Sequence, residues 1–164
     1  MPLFRPTPLV CRQRLWHSIL LDLRKRGLGH RESGGFLLGR RTENSRSIEA
    51  FIPYDAIDPN ALQGYIVFDG SKMDQVWQEC RKLGLQVVAD VHTHPSGFVG
   101  QSNMDQENPM LPERGHIAII IPNFAAQLSM PGEIGIYEYR GRDGWADHSA
   151  KATKFFKIKG GFLW

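Results

Sequence analysis

Only two cysteines, Cys11 and Cys80, occur in 164 residues, which excludes the disulfide framework of a small secreted domain. No apolar run approaches the roughly 20 residues a membrane span needs. The opening Met-Pro-Leu-Phe-Arg-Pro-Thr-Pro lacks the apolar segment of a signal peptide, so the expected location is the cytoplasm. Like charges do not accumulate either. Their densest group, Arg24-Lys25-Arg26, reads as the solvated end of a helix whose dipole favours cations. A net charge of +3 scattered in this way implies neither nucleic acid nor a membrane as partner. The chain has no internal repeat and no low-complexity segment. Its 41% hydrophobic and 23% charged residues are ordinary for one globular domain, expected to span residues 1–164.

Periodicity gives a mixed α/β order of elements. Leu9 to about Gly27 is expected to be helical, with Leu15, Trp16, Ile19, Leu20 and Leu23 on one face and Gly27 and Gly29 as stop signals. Gly35–Arg41 and Ser47–Tyr54 read as a hairpin, and Asp55–Gly64 as a polar loop. Ser71–Leu83 reads as a second helix, capped by Ser71 and ended by Gly84. Its inner face would carry Met73, Val76, Trp77, Cys80 and Leu83, making Cys80 a small core residue. Cys11 falls near the start of the first helix, and a catalytic thiol is the minor reading for either cysteine. Later strands are expected at His116–Ile121 and Ile134–Tyr139. The terminal Gly160-Gly161-Phe162-Leu163-Trp164 reads as a glycine turn before an apolar end.

The chemistry is concentrated in residues 92–105, His-Thr-His-Pro-Ser-Gly-Phe-Val-Gly-Gln-Ser-Asn-Met-Asp. The apolar, β-branched run Gln86–Val91 reads as a buried strand leading into them. Side chains two apart on a strand share a face, so His92 and His94 can reach one ion. Pro95 and Gly97 open a loop. Ser102 then caps a short helix, and Asp105 in its first turn can fold back as a third ligand. Catalytic zinc takes three such ligands and keeps a fourth position for water.

Each feature has a plainer reading. Ser102-x-x-Asp105 alone is a capping box, and a lone His-x-His is usually a surface pair. All four residues at this spacing should arise by chance with a probability on the order of 10⁻³ or less. Asp90 faces the same side as the histidines. It is a candidate acceptor for the second N–H of a ligand histidine, or a polar residue at the cleft rim. His17, His30, His116 and His148 have no motif context and read as surface or structural.

His92-x-His94, seven residues, Ser102, two residues, Asp105 resembles the signature of the JAMM metalloproteases, also called JAB or MPN-plus domains. That family also has a glutamate upstream, and Glu32 stands there in Arg31-Glu32-Ser33-Gly34-Gly35-Phe36. The resemblance covers roughly residues 9–140. It implies a single α/β domain, cytidine-deaminase-like, with a mixed β-sheet flanked by helices. It implies one Zn²⁺ held by His92, His94 and Asp105, with Glu32 handling protons and Ser102 helping to stabilise the tetrahedral intermediate. It further implies cleavage after the C-terminal glycine of ubiquitin or a ubiquitin-like protein.

The segments Asp55–Gly70 and Gln106–Gly115 are short, which resembles the compact bacterial and archaeal forms rather than the dedicated eukaryotic deubiquitinases. The partners so implied are a ubiquitin-like protein or its conjugates, together with E1-like and E2-like proteins, in some cases in anti-phage operons. Alternatives are a peptidase trimming a sulfur-carrier or phage-tail polypeptide, and a zinc-binding interaction module without proteolysis. Metallohydrolases that use His-x-His on barrels of about 250 residues are excluded by length. The motif sits at a strand end beside Gly97 and Gly100, so a narrow cleft for an extended tail is expected rather than a deep pocket.

Overall fold

The computed structural model describes residues 7–160, so residues 161–164 of the terminal segment lie outside it. In chain order the elements are β1 (Leu9–Arg12), α1 (Gln13–Gly27), β2 (Gly34–Arg41), β3 (Arg46–Pro53), α2 (Tyr54–Ile57), β4 (Leu62–Gln63), β5 (Tyr65–Ile66), α3 (Met73–Leu83), β6 (Gln86–Thr93), α4 (Asn103–Glu107), β7 (Ile117–Ile121), β8 (Gly135–Tyr139), β9 (Trp145–Asp147), α5 (Ala152–Phe155) and β10 (Phe156–Lys159). Eight strands form one mixed sheet in the order β10-β1-β3-β2-β6-β7-β8-β9, while β4 and β5 make a separate small hairpin. No helix among the described residues is long and apolar enough to cross a membrane.

Apolar clusters cover both faces of the sheet, which is why β2 and β6 read as continuous hydrophobic runs rather than alternating ones. On one face Trp16, Ile19, Leu20 and Leu23 of α1 pack against Leu37, Val91 and Ile119. On the other, Val76 and Cys80 of α3 pack with Phe36, Leu38 and Tyr54. The second face continues past α3 to Asp90 and His92, which line a cavity at its end.

Several expectations change. Leu9–Arg12 is a strand, not the start of the first helix, because its backbone pairs in parallel with both β3 and β10. Leu9 and Cys11 point inward with the period of two that a strand imposes. The helix ends at Gly27 as expected, but the left-handed cap is Leu28, at φ 54°. Asp69, not Ser71, accepts the cap bond before α3, from the Ser71 N–H, and a 3₁₀ turn over Gly70–Lys72 leads in. Gly84 closes α3 in the left-handed conformation. Leu83 does not join the core and is 46% exposed, whereas Cys80 is buried. The expected loop at 55–64 contains α2 and the first strand of the β4–β5 hairpin.

Candidate metal centre

The register of β2 against β6 assembles the site. β2 runs antiparallel to β6 with Gly34 opposite His92. The pairing continues past the strand end, where Thr93 N–H donates to Ser33 O (2.8 Å) and Ser33 N–H to Thr93 Oγ1 (2.9 Å). Ser33 Oγ also donates to Leu23 O of α1 at 2.6 Å. Glu32 adjoins Ser33 in the chain, near enough to His92, His94 and Asp105 for their charges to act on its carboxyl. Gly34 has to be glycine. A Cβ there would lie 2.5 Å from Val91 O and 2.9 Å from His92 Cβ.

The three expected ligands meet. His92 Nε2 lies 3.1 Å from His94 Nε2 and 3.3 Å from Asp105 Oδ1, and His94 Nε2 lies 3.2 Å from Asp105 Oδ2. A tetrahedral zinc with bonds of about 2.0–2.1 Å holds its ligand atoms about 3.3 Å apart, so these donors fit that ion. No other His, Cys, Asp or Glu among the described residues joins the group. The backbone carbonyl of Phe98, 3.1 Å from His94 Nδ1, accepts that nitrogen's proton and turns the Nε2 lone pair inward.

Around them, Ser102 and Asp105 form a reciprocal capping box at the start of α4. Asp105 N–H donates to Ser102 Oγ (3.0 Å) and Ser102 N–H to Asp105 Oδ2 (2.8 Å). The cap and the ligand set are therefore one structure. Because Oγ accepts here, the Ser102 hydroxyl proton is free to be donated elsewhere. Burial alone would raise the Asp105 carboxyl, but the two histidines and the Ser102 N–H hold it well below the usual carboxylate range. Burial opposes protonation of His94, yet Asp105 and the Phe98 carbonyl outweigh it and raise its pKa. Glu32 is half-buried and its pKa is raised by burial, with Asp105 adding and His92 and His94 opposing. Burial pushes the Cys11 thiol up to about 12, which removes it as a nucleophile.

Asp90 is buried at the cavity floor beside His92. Its carboxylate accepts from the Tyr54 hydroxyl at 3.3 Å and pairs with His116 Nε2 at 2.6 Å, so its hydrogen bonds run to these two and not to a ligand histidine. His116 is only 2% exposed. Burial and then Asp90 raise the Tyr54 pKa well above its ordinary value, so Tyr54 remains a donor.

Two features escaped the sequence. Asn123, Phe124 and Ala125 make a left-handed turn with φ of 55°, 52° and 57°. This is unfavourable for L-residues, and it is held because Phe124 N–H donates to His94 O and Asn123 N–H to Ser96 O, both at 2.9 Å. The second is a cavity of about 390 Å³ beside the ligands, where a narrow cleft was expected. It arises because the β4–β5 hairpin and Trp145 of β9 wall the sheet face, and neither was assigned to the site by its motif.

The model for prokaryotic homologs of the JAB domain matches residues 13–128. A solution structure of a protein from Desulfitobacterium hafniense superposes with a TM-score of 0.67, at 20% identity, over 93% of this chain and 94% of that one. A second, from Salinibacter ruber, has a TM-score of 0.52 at 17% identity, over 84% and 86%. At these identities the two structures speak for the fold alone. The family match covers the upstream glutamate, both histidines, the serine and the aspartate, and the chain belongs to the prokaryotic JAB-domain family.

Proposed function

We propose that this chain is a zinc metalloprotease that hydrolyses the amide bond after the C-terminal glycine of a ubiquitin-like protein, in deconjugation or precursor processing. The observation that supports this reading is the three-ligand His92–His94–Asp105 group with no fourth protein ligand among the described residues, Ser102 bonded to Asp105 and Glu32 near all three. A structural zinc would be closed by four. Zinc, when bound, supplies Lewis acidity toward a water molecule and the amide carbonyl.

The protein residues do the rest. Glu32 takes a proton from the attacking water and returns it to the departing amine. Ser102 Oγ–H donates to the carbonyl oxygen as negative charge builds there. A terminal glycine lets the substrate backbone approach without a Cβ in the way. Asp55–Gly70 and Gln106–Gly115 flank the cleft and are the surfaces for the folded body of the ubiquitin-like protein. E1-like and E2-like proteins are the accompanying partners.

The test uses a ubiquitin-like protein encoded near this chain's gene, fused through its terminal glycine to a reporter. Zinc-dependent release is expected, and Glu32→Gln should keep the metal while losing about 10²–10⁴ in rate. Cleavage confined to unrelated unfolded peptides would make this a general peptidase. Metal binding with no cleavage at all would leave an interaction module.

A further inference from the structure

The cavity of about 390 Å³ starts at His92, Ser102 and Asp105 and runs along the sheet. Its floor is Asp90 and Ala118, which are register partners on β6 and β7. Phe68, Met73, Met110 and Trp145 line it as well. Trp145 is fixed by its indole N–H, which donates to Gln106 O at 3.0 Å. Thioethers and aromatic rings make an adaptable apolar lining. The one acid in the floor already has Tyr54 and His116 as partners, so it calls for no cation. At the rim Tyr65, Val67 and Met104 are 52%, 46% and 50% exposed, which leaves apolar surface in water beside the site.

The cavity's place relative to the reacting groups sets its role. It touches Ser102, which serves the carbonyl oxygen, and not Glu32, which serves the leaving amine. It therefore lies on the acyl side of the scissile bond. An extended chain advances about 3.3–3.6 Å per residue, so the residue before a terminal glycine reaches the cavity mouth. Glycine fills almost none of such a volume.

We propose that this cavity is a side-chain subsite and that the substrate tail carries a bulky apolar residue, of leucine, methionine or phenylalanine type, directly before its terminal glycine. This rests on the hydrolase reading above and narrows it. A tail ending in two glycines leaves the subsite empty.

The experiment uses the hexapeptides Ala-Ala-Xaa-Gly-Lys-Ala with Xaa as Gly, Asp, Lys, Leu, Met or Phe. Cleavage is measured with the zinc-loaded protein, and binding with Glu32→Gln. Both should favour Leu, Met and Phe over Gly and Asp by roughly tenfold or more. Met73→Trp narrows the cavity from its wall and Ala118→Leu raises its floor. Each should abolish the preference for Leu, Met and Phe over Gly, and melting curves identify a variant that fails to fold. Apolar preference in binding without any cleavage would sink the hydrolase reading and keep the subsite. Cleavage indifferent to Xaa, a preference for Lys or Asp, or a preference untouched in both folded variants would overturn the subsite. Neither binding nor cleavage across the series would overturn the subsite, and the fusion reporter alone then decides the hydrolase reading.

Discussion

At the residue scale the site is economical because single groups serve twice. Asp105 completes the α4 cap and offers an oxygen to the His92–His94–Asp105 group, and its carboxylate stays ionised at neutral pH. His92→Ala and Asp105→Ala should each abolish zinc retention, and full zinc by elemental analysis in both variants would refute the assignment. Gly34 acts without a side chain. Gly34→Ala would press a methyl group against Val91 O, Tyr54 and His92. We expect a loss of about 1–3 kcal/mol in stability and weaker zinc binding, although Gly34 offers the ion no ligand. Denaturant melts and a zinc titration check this, and a variant matching the wild type in both would show that the strand can yield.

At the element scale the β4–β5 hairpin is the part whose attachment matters most, since it walls the cavity. Asp58 holds its base, accepting from Asn60 N–H (3.1 Å) and Asp69 N–H (3.0 Å), with Lys72 Nζ at 3.5 Å. The Asp69 N–H is the largest cause of a lowered Asp58 pKa, against some desolvation. A carboxylate with a depressed folded pKa stabilises above its unfolded value, ~3.9, and loses that contribution as pH falls through the lower folded value. Hydrogen-exchange protection over residues 58–69, taken relative to the intrinsic rate at each pH, should therefore fall below about pH 4 and, in Asp58→Ala, at neutral pH as well. Unchanged exchange in Asp58→Ala would show that the hairpin is held by its apolar contacts alone.

On the scale of the whole molecule, the ion would tie the loop after β6 and α4 to the sheet, while the two apolar clusters hold the fold without it. At free zinc about 100-fold above Kd, linkage contributes ~2.7 kcal/mol, or about 5–10 °C in Tm at this size. Chelation should lower Tm by that amount and leave a cooperative transition. Unfolding at room temperature on chelation, or no shift at all, would contradict this division of labour.

Local chemistry determined the motif. Two histidines at i and i+2 on an apolar strand, a proline-glycine break and a serine cap three residues before an aspartate define ligand geometry within 14 residues, so the site was legible before any fold was known. The hairpin β2–β3, the inner face of α1 and the apolar strand β7 were legible for the same reason, since their periodicity reports their own burial. What depends on distant pairing was not. Leu9–Arg12 continues a helical pattern, yet becomes a strand because β3 and β10 offer its backbone partners on both sides. Leu83 has the spacing of a core residue, but α3 ends with that position turned to solvent. Asp90 belongs with His116 and Tyr54, 26 and 36 residues away, and no spacing rule connects them. The cavity is lined by Trp145 from β9 and Met73 from α3 together with Asp90 of β6 and Ala118 of β7. The sequence by itself determined which atoms could bind a metal, whereas only the packing of remote elements on one sheet decided what space lies beside it.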